Sequence, residues 1–394
     1  MAEIPHDLTI SKPDYGGGSI VNLMRSIGDA CGAPATQYLP LSGMADHFSG
    51  VQRIVLLVID GLGHEFLHSL GFDTVLARHQ WSKITSVYPP TTATAITTFL
   101  TGRAPQQHGL TGWFMQFRTI DEVVAILPFV PRLGSESLEV SGTAIGSLIG
   151  GPNFFDTLRW PSSTLLPDDI YDSAFSRLFC GNTQPEPYSS LSNFVEKLKS
   201  FCGGEDGKHY LYAYWSELDR LSHMHGPSSQ IVAAHLAEID NALEPLFDMC
   251  AENDTLLIVT ADHGFIDTSL EEQIDLADHP DLNKMLRLPL CGEPRSAYCY
   301  VHPQCRNTFE HYVDSEFRDV VNLVPSDRLV DEGWFGLGSP HPELSARIGD
   351  YTLQMKGRHT VTDVLSVERK LKMNGVHGGT AAAELYVPLI LSKL

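Results

Sequence analysis

The sequence lacks any cysteine pair at CxxC spacing, any apolar run long enough to cross a bilayer, and any excess of basic charge. Cys31, Cys180, Cys202, Cys250, Cys291, Cys299 and Cys305 make an odd set of seven, which suits reduced packing thiols rather than a disulfide framework or a Cys-based metal site. The strongest apolar run, Ile54 to Ile59, falls far short of the roughly 20 residues a membrane helix needs. The start, MAEIPHDLTI, has no basic region leading into an apolar stretch. A cytoplasmic protein without a membrane partner is the expectation. Lys and Arg number 27 against 48 Asp and Glu, and the net charge of −21 opposes attraction to a nucleic acid polymer or an anionic membrane. A small phosphate ester is not excluded, because divalent cations can invert the potential of an acidic pocket.

What is present describes a large globular chain. Hydrophobic residues make up 43% and charged residues 19% of 394 residues, without repeats or low-complexity tracts. The first ~50 residues, rich in Gly, Pro and Ser, read as an irregular lead-in. Four β-branched or aromatic runs predict buried strands of a largely parallel sheet: RIVLLVID ending at Asp60, VVAILPF from Val123, HYLYAYW from His209 and TLLIVTAD ending at Asp262. Helices are expected over Thr92 to Thr101 and over Gln230 to Cys250. In the latter, Ile231, His235, Ile239, Leu243 and Leu246 recur at helical spacing, with His235 read as a packing residue. Strands alternating with helices predict an α/β fold, a doubly wound sheet with helices on both faces. Residues 269–358 break that rhythm and are read as an inserted cap-like subdomain. The core is then 1–268 with its lead-in, and 359–394 return to it.

The chemistry-bearing residues sit in five short segments. Asp60 ends a strand before Gly61, Leu62 and Gly63, at the edge where ligands bind in open α/β sheets. In SVYPPTTATAITTFLTGRAPQQHGL, two prolines stop the chain. Thr91 or Thr92 then falls at a helix N-terminus, whose free N–H groups can receive a phosphoryl oxygen. A neutral hydroxyl needs a metal or a base to become a nucleophile. Asp219 and His223, four apart in YWSELDRLSHMHGP, can reach one cation, and His225 is a third ligand, a supporting partner or a surface residue. Asp262 and His263 end a strand before Gly264, and His377 lies among glycines in NGVHGGT. Three aspartates and three histidines at strand ends suit zinc, with manganese as the alternative. Two such ions, about 4 Å apart, would stabilise both the entering and the leaving oxygen of a displacement at phosphorus.

The order and spacing of these segments resemble the alkaline-phosphatase superfamily, and within it the type I phosphodiesterase and nucleotide pyrophosphatase branch. The resemblance runs over Arg53 to Gly112, Tyr210 to Asp267 and Asn374 to Leu391. It implies one metal held by Asp60, Thr92, Asp262 and His263 and another held by Asp219, His223 and His377. Counting back from Gly102 in TGRAPQQHG, it also places the nucleophile at Thr92 rather than Thr91. The implied activity is hydrolysis of a phosphodiester or nucleotide pyrophosphate through a phospho-threonine intermediate.

Two departures bear on the substrate. Where the branch usually carries an Asn that steadies a phosphoryl oxygen, this chain has Trp113, and no basic residue of the kind that favours monoesters is recognisable. Trp113 and Phe114 either cover a second organic group or pack in the core. Competing readings are a phosphomonoesterase, a metal-dependent phosphomutase, to which the HGG near the C-terminus is similar, and a non-catalytic binding protein on the same fold. A sulfatase is disfavoured, since no Cys lies between Cys31 and Cys180.

Overall fold

Arg53–Ile59 is buried along its whole length, as a strand covered by helices on both faces must be. In the computed structural model, which describes residues 6–69, 73–204, 207–369 and 372–392, this strand lies at the middle of a seven-stranded sheet. The order is Gln80–Thr85, Tyr386–Leu391, Thr255–Thr260, Arg53–Ile59, His209–Trp215, Ser162–Pro167, Gln184–Tyr188. The five strands from Thr255–Thr260 onward are parallel, and Tyr386–Leu391 runs antiparallel to both its neighbours. Ile59 pairs with Trp215 and Val58 with Thr260, so the loops that follow three central strands leave the sheet at one edge.

The predicted helices form as Thr92–Thr101 and Gln230–Glu252. The buried stripe of the second is Val232, Leu236, Ile239, Leu243, Leu246, Phe247 and Cys250. Ile231 is 49% exposed, and His235 accepts a hydrogen bond from Trp215 Nε1 at 3.2 Å. The lead-in is less irregular than its composition suggests. Ile20–Cys31 is a helix, begun where Asn22 Oδ1 accepts the Ser19 N–H and ended at Gly32, whose φ of 80° suits only glycine without strain.

A second seven-stranded sheet stands beside the first, in the order Val321–Pro325, Tyr351–Met355, Ser296–Cys299, Cys291–Glu293, Phe114–Phe117, Glu122–Ala125, Val130–Pro131. All its pairings are antiparallel. The run at Val123, expected in the core sheet, belongs here instead. It folds back on Phe114–Phe117 through a turn in which Asp121 takes φ 53°, and a short hairpin can pair only antiparallel. This sheet therefore draws strands from both sides of position 269, joined where Gly292 pairs with Phe114. Beyond position 358, Thr360–Thr362 pairs with Gln273–Asp275.

The seven cysteines are free, and all but Cys305 are buried. Among the described residues no helix is long and apolar enough to cross a membrane.

Candidate active site

Five segments far apart in sequence meet at the shared edge of the core sheet. Asp60 and Asp262 follow neighbouring strands, and both are almost wholly buried. Asp262 Oδ1 accepts the N–H groups of Gly61 and His263, at 3.1 and 3.0 Å, which ties the two strand ends together. Tyr214 donates its hydroxyl to Asp60 Oδ2. Asp219 and His223 lie on the helix Glu217–His225, one turn apart and on one face. Their side chains approach to 3.6 Å. His377 is brought in by a two-residue bridge, in which Ile266 pairs with Val376 and Asp267 with Gly375, and Asn374 N donates to the His223 carbonyl at 2.9 Å.

Glycine is required where these strand ends crowd. A Cβ on Gly264 would sit 2.0 Å from the Ala383 carbonyl oxygen, and one on Gly61, at φ +77°, would sit 2.6 Å from the Phe265 ring. That ring is the wedge of the site. Phe265 makes edge contacts with His223, His263 and His377 at centroid distances of 4.9, 5.5 and 5.0 Å, and the rings of His263 and His377 stack at 3.7 Å.

The hydrogen bonds set the state of the imidazoles. Nδ1 of His223, His263 and His377 faces the carbonyl of Gly375, Gly264 and Pro90, at 2.9, 3.1 and 3.3 Å. A carbonyl only accepts, so each Nδ1 carries the proton and each Nε2 presents a lone pair. Those lone pairs converge: His223 Nε2 and His377 Nε2 are 3.2 Å apart. His263 Nε2 is 3.4 Å from Asp60 Oδ1 and 3.3 Å from Asp262 Oδ2, and His377 Nε2 is 3.8 Å from Asp219 Oδ1. Asp60 Oδ1, Asp219 Oδ1 and Asp262 Oδ2 are buried without a hydrogen-bond partner among the described residues. Acceptor atoms turned toward one another with no donor between them are costly unless cations join them. Two donor sets fit an ion each, Asp60 with Asp262 and His263, and Asp219 with His263 and His377. His263 belongs to both, a sharing absent from the division that the resemblance implied.

Ionisation responds to the same crowding. Burial first, then repulsion from Asp219 and Asp262, raises the Asp60 carboxyl well above its usual range. Burial raises that of Asp219 against the pull of His223 and His263. Burial, followed by repulsion from His263 and His223, drives the His377 imidazole well below its ordinary value.

Thr92 opens its helix and places Oγ1 3.2 Å from His263 Nε2, at the rim of both donor sets. Thr91, the N-cap, makes no capping bond. It turns away and donates to Glu293 Oε1 at 2.7 Å, and the same oxygen accepts the Trp113 N–H at 2.7 Å. Burial pushes the Glu293 carboxyl up to about 7, against the opposing pull of these two donors. His225 is exposed and outside the cluster.

A cavity of about 670 Å³ opens beside Thr92, Asp219, His223 and His377 and runs past Trp113 and Glu293 toward Val361. Trp113 is 38% exposed on this cavity, while Phe114, also on its wall, has the Arg132 guanidinium 4.1 Å from its ring centroid.

The sequence reading missed Glu293, Tyr214, Phe265 and the buried pair Arg295–Glu384. Glu293 sits in CGEPR with no local mark, and only the hairpin it opens brings it to Thr91. Glu384 accepts from Arg295 Nη2 at 2.7 Å and from the N–H of Gly379 at 2.7 Å, locking the loop that carries His377 to the second sheet. Removing one partner of a buried pair strands the other, so Glu384→Ala should lower unfolding free energy by about 3–5 kcal/mol. Denaturant unfolding of metal-loaded protein measures this, and a loss under about 1 kcal/mol would deny the lock.

Residues 54–128 and 154–378 match the family described as type I phosphodiesterase / nucleotide pyrophosphatase. Human ectonucleotide pyrophosphatase/phosphodiesterase family member 5 is 24% identical over 166 residues, which span 40% of this chain and only 29% of that relative. The structure of murine ectonucleotide pyrophosphatase/phosphodiesterase 5 superposes with a TM-score of 0.63 at 16% identity, over 86% of this chain and 87% of that one. An inactive form of that mouse protein is also known in complex with AMP. Phosphonoacetate hydrolase from Sinorhizobium meliloti, in complex with phosphonoformate, superposes with a TM-score of 0.61 at 16% identity, over 86% of this chain and 89% of that one. With three-quarters of its length inside the family match, this chain belongs to the type I phosphodiesterase/nucleotide pyrophosphatase family of the alkaline-phosphatase superfamily.

Proposed function

We propose that this protein hydrolyses phosphodiesters or nucleotide pyrophosphates, with Thr92 as the nucleophile and two divalent cations, Zn²⁺ ahead of Mn²⁺, as cofactors. The observation that carries the reading is the convergence of three partnerless carboxylate oxygens and three imidazole lone pairs in a cluster whose His263 Nε2 lies 3.2 Å from the Thr92 hydroxyl. Asp60, Asp262, His263 and Thr92 would hold one ion and Asp219, His223 and His377 the other, His263 lying within reach of both. Bound there, the ions supply Lewis acidity and neutralise negative charge on the phosphoryl oxygens.

The remaining work falls to the chain. Thr92 Oγ1 attacks phosphorus in line with the departing alkoxide or phosphate, forming a phospho-threonine that water then cleaves. The N–H groups of Thr92 and Ala93, at the start of the helix Thr92–Thr101, fall where a helix leaves its donors unpaired and are the ones that can receive a phosphoryl oxygen. Thr91 is unsuited to the attack, because its hydroxyl is committed to Glu293.

Substrate class follows from what lies around Thr92. Among the described residues no Lys lines the cavity, and of its two arginines Arg132 is engaged by Glu368 at 2.9 Å while Arg369 is exposed to solvent, so little buried positive charge is available to offset the extra charge of a monoester. Trp113 offers an aromatic face on the same cavity for a second organic group, such as the nucleoside of the AMP found with the mouse relative. The free thiols support a cytoplasmic location.

On zinc-loaded enzyme, kcat/KM for a bis-aryl phosphate should exceed that for an aryl phosphate. Trp113→Ala should reduce the diester value more than the monoester value. A monoester preference of about tenfold or more, equivalent to ~1.4 kcal/mol, would reassign the protein as a phosphatase or mutase.

A further inference from the structure

Glu293 lies beside the position at which the family usually carries an Asn. The residue matching that Asn is Trp113, whose backbone N–H is bound at 2.7 Å by the Glu293 carboxylate. The same oxygen, Oε1, takes the Thr91 hydroxyl, one residue from the nucleophile. With Oε1 taken by two donors, Oε2 has no hydrogen bond to any described residue. The side chain is 7% exposed and belongs to the wall of the cavity that holds Thr92, Asp219, His223 and His377. It packs close against Gly378, beside His377, where an added Cβ would lie only 3.0 Å from the Glu293 Cβ. Arg295, two residues on, is committed to Glu384 and to the His359 carbonyl, so it is not available to neutralise Glu293.

We propose that Glu293 is a specificity-determining residue, a fixed carboxylate beside the phosphoryl site that rejects dianionic phosphate monoesters and admits monoanionic diesters and phosphonate esters. This rests on the reading of Thr92 and its donor sets as a phosphoryl-transfer centre. A monoester carries two charged oxygens, and whichever is turned away from the metal-ligand cluster meets the Glu293 side of the cavity, in surroundings too buried for water to screen the repulsion. A diester presents an esterified oxygen there and a methylphosphonate ester presents a methyl group. Both carry one charge fewer, so selection is by charge, while Trp113 acts by grip.

At a pH well above 7, where the Glu293 carboxyl that burial pushes up to about 7 is ionised, three aryl substrates of one leaving group separate these effects: an aryl phosphate, an aryl methylphosphonate of nearly the same size but one charge fewer, and a bis-aryl phosphate. In the wild type the methylphosphonate should behave like the diester. In Glu293→Gln, which keeps acceptors for both donors, the monoester-to-methylphosphonate ratio of kcat/KM should rise at least tenfold, with metal content as in wild type. Glu293→Asp, which retains the charge, should stay near the wild-type ratio. An unchanged ratio in Glu293→Gln, with all three substrates slowed together, would show a structural residue and overturn the proposal. Should Glu293→Gln fail to fold or to hold metal, the wild type alone decides, because a methylphosphonate turned over no better than the monoester contradicts selection by charge. A wild type that prefers the monoester to the diester would remove the diesterase reading, while the shift caused by Glu293→Gln would still score Glu293 separately.

Discussion

Thr92→Ala should lower turnover by on the order of 10³-fold or more while leaving metal content and fold intact. The hydroxyl lies at the rim of the cluster, 3.2 Å from His263 Nε2, and the three aspartates and three histidines remain without it. A helix N-terminus tolerates Ala at its first position, and Thr92 makes no capping bond that would be lost. Thr91→Ala should behave differently. It removes one donor to a buried carboxylate, costing roughly 1–3 kcal/mol of stability, and should slow turnover by no more than about tenfold. Single-turnover assays and trapping of a labelled phospho-enzyme would distinguish the two, and the reverse ranking would move the nucleophile to Thr91.

Chelation should destabilise the protein strongly, and more at pH 7.5 than at pH 5.5. Without cations, Asp60 and Asp219 face each other's charge in a buried cluster, and their carboxyl groups lie above their usual range, as does Glu293 at about 7. Between the unfolded and folded values of such an acid, the native state holds protons that the unfolded chain has released. Native stability therefore falls as pH rises through that window. His377, held well below 6.5, pulls the other way up to that pH, and above pH 6.5 its opposition ends. The gap in Tm between metal-loaded and chelated protein should widen from pH 5.5 to 7.5, and an equal gap at both would contradict the cluster as described. Asp219→Ala should bind one ion in place of two, with an affinity loss exceeding the 10–100-fold typical of residues that merely support a ligand. A wild type that holds no metal after zinc supplementation would end the two-metal reading.

The residues proposed for the chemistry were legible early because the signal for each is local. A buried parallel strand is a short β-branched run, its carboxyl end is where the run stops, and Asp60, Asp262 and His263 stand there. The prolines before Thr91 and the glycine after Thr101 bound a helix without reference to anything distant. The same local reasoning misplaced the Val123 run, because an apolar run does not specify its partner. A tight turn at Asp121 and a vacant edge on the second sheet chose it instead. It also undervalued residues 20–31, where glycines on both sides obscured a helix that Ser19 and Asn22 begin.

Composition, strand ends and the threonine-bearing helix were thus determined by the sequence itself, since each depends on neighbours a few positions away. Tertiary structure alone decided which donors are placed to share an ion, because His263 comes between Asp60 and Asp219 only when strands and helix pack together. It alone set a Phe265 ring among three imidazoles and bound Glu384 to Arg295 beneath the His377 loop. It also delivered Glu293 to the backbone of Trp113, 180 positions away, from a second sheet whose register no local pattern announces. Long-range pairing follows from the summed packing of two sheets, and a side chain's electrostatic surroundings exist only once that packing is complete.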